Sequence, residues 1–120
     1  MQPRIERTAF GSINLGGEVY RHDIVIALDG TVRQRSKQLS KRVYGTSHRI
    51  SLVEARDVDE AGCELLLIGS GQFGRVGLSS EAQDYFDSRG VAVEILPTPA
   101  AAQRWNDLTA KAVALFHVTC

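Results

Sequence analysis

The sequence is poor in the features that assign a protein to a class at a glance. No apolar run approaches the roughly 18 residues that a bilayer-spanning helix needs, so no membrane span is expected. The start, Met1-Gln2-Pro3-Arg4-Ile5-Glu6-Arg7, lacks the apolar stretch of a secretory signal, which makes a cytoplasmic chain the expectation. Cysteine is scarce. Cys63 and Cys120 are too few and too far apart for a disulfide framework, and both are expected to be free thiols in a reducing compartment. Three histidines without paired spacing give no metal site. Phosphate-loop, nucleophile-elbow and H-E-x-x-H patterns are missing as well, so neither a metal nor a cofactor is expected.

What is present describes an ordinary globular domain. The 120 residues are 43% hydrophobic and 23% charged, enough to bury a core in a single domain spanning 1–120. The net charge of zero hides an asymmetry: residues 1–53 hold nine Arg/Lys against four Asp/Glu, and residues 54–120 hold five against ten. Between Asp29 and Glu54 there is no acid, yet Arg33, Arg35, Lys37, Lys41, Arg42 and Arg49 fall there. Such a block attracts anions even on a neutral protein. With Tyr44 as its one aromatic it lacks a stacking platform, so nucleic acid is not expected as a partner.

Hydrophobic period divides the chain into an N-terminal β-rich third and an alternating α/β remainder. Ile5 to Phe10 alternates loosely, and Gly16-Gly17 between Ser12–Leu15 and Glu18–Tyr20 is a two-residue hairpin turn. Asp23 to Leu28 reads as a strand, Asp29-Gly30 as a turn into Thr31–Arg35, and 36–48 as a long basic loop. Ser51-Leu52-Val53-Glu54 has the form of a capping box opening a helix to about Ala61. Glu64–Ile68 and Val91–Leu96 read as strands buried on both faces. A helix from Ser79 or Ser80 to Arg89 closes at Gly90, and another from Thr98 runs to about Ala110. Ala112 to Val118 completes the set as a strand, giving three helices and a largely parallel second half.

The segment Gly69-Ser70-Gly71-Gln72-Phe73-Gly74 fits G-x-G-x-x-G after a strand, with Glu94 at the place of a ribose-binding acid. Against a dinucleotide site, Arg75-Val76-Gly77-Leu78-Ser79-Ser80 delays the next helix by about six residues. Two other readings remain: a conformationally demanding loop, and a site for a smaller anion on backbone amides with Arg75. His48 on the basic loop could reach such an anion, or could simply order the loop before the helix. His117 and Cys120 suggest a nucleophile–base pair, but a strand period of two puts them on opposite faces. His117 is then expected to be buried and hydrogen-bonded, Cys63 to be core, and His22-Asp23 to take part in surface or hairpin hydrogen bonds.

Ile68-Gly69-Ser70-Gly71, Pro97-Thr98 with Ala101, Asn106 and the ending His117-Val118-Thr119-Cys120 together resemble a small family. It includes mitochondrial complex I assembly factor three, the adipogenesis-associated domain protein of animals, and bacterial and archaeal stand-alone domains. Phe10-Gly11, Tyr20 with Asp23, Gly30, and His48 ahead of Ser51 agree with it across the N-terminal half. Relatives often carry a Trp after the position of Arg33, and Gln34 to Tyr44 has none. The resemblance implies a compact three-layer α/β domain with a mixed central sheet. It also implies a protein-binding, assembly-factor-like role, with a respiratory-complex subunit as partner. The alternative is an enzyme or binding protein for a small anion at Gly69, Ser70, Gly71, Gly74, Arg75 and His48. Whether the protein is an enzyme, and its oligomeric state, are left open by the sequence.

Overall fold

The computed structural model describes residues 2–120. Its first three strands, β1 (Ile5–Ala9), β2 (Ser12–Leu15) and β3 (Glu18–Tyr20), form an antiparallel sheet closed at Gly16-Gly17, as the turn residues predict. The chain then enters a second sheet through β4 (Ile24–Ile26) and β5 (Val32–Gln34), and passes through α1 (Gln38–Tyr44), β6 (Arg49–Ile50) and α2 (Leu52–Val58). Three further strands of that sheet follow: β7 (Leu65–Ser70), β9 (Ala92–Leu96) and β10 (Ala112–His117), linked by α3 (Ser80–Arg89) and α4 (Thr98–Asp107). A short β8 (Gly77–Leu78) precedes α3 and pairs in parallel with β6. The larger sheet runs β5-β4-β10-β7-β9, with β10, β7 and β9 parallel and β4 antiparallel to β10. It is the mixed sheet of the expected α/β class.

Period-two alternation sorts the core into two layers. Leu65, Leu67, Ala112, Ala114 and Phe116 face Ile5, Ile13 and Leu15 of the hairpin sheet and Ala101 and Trp105 of α4. Leu66, Ile68, Val113 and Leu115 face Ala55 and Val58 of α2 and Ala82 and Phe86 of α3. Burying each such large side chain contributes about 1.5–3 kcal/mol, so the central strands β7 and β10 dominate the stability of the sheet.

Several boundaries differ from the sequence pattern, each for a local reason. The segment expected as a basic loop contains α1, which the structure ends at Gly45 (φ 72°), whose amide reaches the Lys41 carbonyl. This seven-residue helix is anchored by one buried residue, Ser40, rather than by an apolar stripe, so periodicity missed it. The helix α2 stops at Val58 because Asp59 turns away to bond Tyr85 and Arg89 through Oδ2. Half of the expected capping box forms: Ser51 Oγ accepts the Glu54 amide, while the Glu54 carboxylate goes elsewhere. The helix α4 ends at Asp107, and Leu108 turns in against the core on that side. The strand β9 is not buried on both faces, since it is the last strand of its sheet and leaves Ala92 and Ile95 exposed. By contrast α3 has the expected caps at both ends, Ser79 and Gly90.

Candidate functional site

The parallel strands share one carboxyl end. From β7 the chain crosses by α3 to β9, then returns by α4 over β7 to β10, so the connections that leave the carboxyl ends of β7 and β9 run in opposite directions. In open α/β sheets ligands sit outside the carboxyl ends at such a divergence. Here that end is occupied by Ser70 opposite His117, by the glycine turn, and by Thr119 and Cys120.

The glycine turn is packed against the chain. A Cβ on Gly69 would stand 2.5 Å from the Phe116 ring and 3.1 Å from Thr98 Oγ1. Gly71 has φ +100°, and a Cβ there would run into the Cys120 carbonyl and the His117 ring. The amides are committed too. Gly71 N donates to Thr98 Oγ1 at 2.9 Å, Gln72 N to Thr119 O at 2.7 Å, and Arg75 N to Cys120 O at 3.2 Å. Gly74 N donates to Gly71 O at 3.3 Å and Val76 N to Ser70 O at 3.1 Å. Ser70 Oγ donates to Leu96 O. These five amides are therefore not free to cradle an anion. Glu94, at the ribose-acid position, is bound by Arg104 at 2.8 and 2.9 Å. Two open hollows, of about 310 and 540 Å³, lie away from the turn, beside β1 and α4 and beside Lys111.

Behind the turn lies a buried charged network that sequence reasoning missed. Arg35, counted there in the basic block, has a fully buried side chain. Its Nε and Nη2 donate to the two Glu54 oxygens at 2.6 and 3.0 Å, its Nη1 to Asp23 Oδ2 at 3.0 Å, and Nη2 also to Ser47 O. Ser40 Oγ donates to Glu54 and accepts the Ser51 amide, which explains both the anchored α1 and the absent half of the capping box. Asp23 is buried rather than superficial. Its Oδ2 lies 2.7 Å from His117 Nδ1, and its Oδ1 accepts the Val118 amide. Burial alone would raise the Asp23 pKa, but the His117 and Val118 hydrogen bonds and the charges of His117 and Arg35 outweigh it, holding it at about 2. Two acids and one guanidinium leave one net negative charge against the His117 ring. The legible signal was an acid directly ahead of the apolar run Ile24-Val25-Ile26.

His48 reaches this end because Gly77 N donates to its carbonyl where β6 meets β8. Its ring stands edge-on to that of His117, centroids 5.4 Å apart at 84°, and its Nε2 is 3.9 Å from Cys120 Sγ. Partial desolvation, then the positive charges of His117, Arg75 and Arg35, push the His48 pKa below its ordinary value. Because β10 ends at His117, strand alternation does not govern Cys120: one donor atom from each of His48, His117 and Cys120 lies within 4.8 Å of the other two, and the thiol is the partner of His48. Cys63 is half-buried and donates to Leu65 O.

On the outer side of the same turn stands Phe73, 70% exposed, with Phe10, 61% exposed, at a ring-centroid distance of 6.0 Å. Both are mounted on the β10 end: Gly11 N donates to Val118 O at 2.7 Å, and Gln72 N to Thr119 O. Arg75, two residues after Phe73, is exposed.

Residues 5–117 match the model of a protein family of unknown function, DUF498/DUF598. The chain belongs to this family. Among solved structures, a conserved hypothetical protein of Pyrococcus horikoshii is 31% identical with a TM-score of 0.92, over 98% of this chain and 99% of that one. A protein named MT938 is 34% identical with a TM-score of 0.81, over 99% and 100%. A Bordetella pertussis protein described as an Mth938-like domain shares the fold at 22% identity and a TM-score of 0.63, over 97% and 85%. No helix among the described residues is long and apolar enough to cross a membrane.

Proposed function

We propose that this member of the family is a protein-binding module, and that its docking surface is the Phe10–Phe73 pair with Arg75 at its edge. The observation that carries this reading is the placement of two largely exposed phenylalanines in contact on turns held by β10. Scattered apolar side chains on a surface need no explanation, but adjacent aromatics on a backbone-braced platform lose little entropy on binding and are the residue type that anchors interfaces. The commitment of the turn amides supports packing as the role of Gly69, Ser70, Gly71 and Gly74, rather than anion capture.

Charge supports an acidic partner. Arg75 is exposed two residues from Phe73, and Lys41, Arg42 and Arg49 are exposed in the acid-free stretch; exposed positive charge selects partners by sign and speeds encounter. The occupant that fits is a segment carrying apolar side chains next to Asp or Glu. The resemblance to assembly factors makes a respiratory-complex subunit the first partner to test.

The test is a selection of displayed peptides against the folded chain. Recovered peptides should be acidic and carry aromatic or large aliphatic residues, and Phe73→Ser should weaken their binding at least tenfold with unchanged unfolding. Peptides without acids, or binding indifferent to Phe73→Ser, would overturn the proposal. So would a dimer in sedimentation that Phe73→Ser dissolves, because a second copy would then be the occupant.

A further inference from the structure

The end of β10 carries a second arrangement, next to the docking face. We propose that His48, His117 and Cys120 form a three-ligand site for a zinc-class transition-metal ion, with its fourth position open to solvent. One donor atom from each residue lies within 4.8 Å of the other two. Cys120 Sγ and His48 Nε2 are 3.9 Å apart. Tetrahedral zinc, with bonds of about 2.0–2.3 Å, holds its donors about 3.5 Å apart. Closing the set takes shifts of about 1 Å, available to the half-buried side chains of His48 and Cys120.

His117 is the fixed member. Its Nδ1 is engaged by Asp23 Oδ2 at 2.7 Å, which leaves Nε2 as the ligand nitrogen, and the Thr119 hydroxyl 3.1 Å from Nε2 is the contact an ion would replace. A carboxylate behind a metal-binding histidine is the usual supporting partner, because it fixes the ring and makes the free nitrogen more basic. Arg35 steadies Asp23 in turn. The Asp23–Arg35–Glu54 set carries one net negative charge beside His117 and a Cys120 thiolate adds a second, set against the positive charge of Arg75 near His48. Two imidazoles and a sulfur select zinc or copper over magnesium or calcium. Positions 48, 117 and 120 follow no ligand spacing, so only the pairing of β6 with β8 and the end of β10 bring them together.

Titration of the metal-free full chain with Co²⁺ tests this independently of any partner, so it stands or falls apart from the docking surface. One equivalent should produce a thiolate-to-cobalt charge-transfer band with the intense visible bands of a tetrahedral ion, bleached by Zn²⁺. Cys120→Ser should abolish the charge-transfer band, and His48→Ala, at a half-exposed position, should weaken Co²⁺ binding at least tenfold. Cys63→Ser should change neither. Circular dichroism identifies variants that keep the fold. No charge-transfer band in the unaltered chain, a band that survives Cys120→Ser, or affinity unchanged in folded His48→Ala would each overturn the site.

Discussion

One carboxylate joins the entry to the larger sheet with the end of its central strand: Asp23 Oδ2 lies 2.7 Å from His117 Nδ1, and Asp23 Oδ1 accepts the Val118 amide at 3.0 Å. The same group accepts from Arg35, itself paired with Glu54 of α2. The bonds of this one network thus link strand β4, helix α2 and strand β10.

Acid should weaken this tie in a defined direction. The Asp23 pKa is lowered from 3.8 to about 2, so its contribution is full above the unfolded value and disappears as pH falls from about 4 through 2. The shift corresponds to about 2 kcal/mol. A carbon-13 NMR titration of the Asp23 carboxyl in chelator should show a midpoint near 2. A midpoint at or above the ordinary aspartate value would contradict the network.

Removing the cation should cost more than removing a surface charge. Arg35→Met strands Asp23 and Glu54 in the interior, and breaking a buried pair in this way costs about 3–5 kcal/mol. Urea unfolding at neutral pH measures it. A loss below about 1 kcal/mol, typical of an exposed pair, would place Arg35 in solvent.

The glycine turn should resist substitution for packing reasons. Gly71→Ala must hold a positive φ and also displace the Cys120 carbonyl, at a cost of about 2–3 kcal/mol. Gly77→Ala meets nothing within 4 Å and serves as the control. Equal stabilities in urea would show that the turn is not pressed against the end of β10.

These differences mark where the sequence was readable. Gly16-Gly17, Ser79 and Gly90 announce their turns and caps through local chemistry, and the Leu65–Ile68 run announces a central strand. Nothing local distinguishes Arg35 from Arg33, yet the first is buried and the second reaches Asp57 in half-exposed surroundings. Asp23, Arg35, Glu54 and His117 acquire their roles from strand order, which brings residues 94 positions apart within hydrogen-bond distance. The Gly69–Gly74 segment was legible as a constrained turn. Whether its amides faced a ligand or the chain depended on residues 117–120, whose path no motif records. Val91–Leu96 reads as buried because its composition is apolar, and only the order of the sheet shows that it lies at an edge.

The proposed docking face is tested most directly by mapping it. Amide shifts of the isotope-labelled chain should be recorded against an acidic, aromatic peptide recovered from the displayed library. Perturbations confined to Phe10, Gly11 and residues 72–75, lost in Phe73→Ser, are the expected result. Perturbations centred elsewhere, on the hollow between β1 and α4 for example, would contradict it.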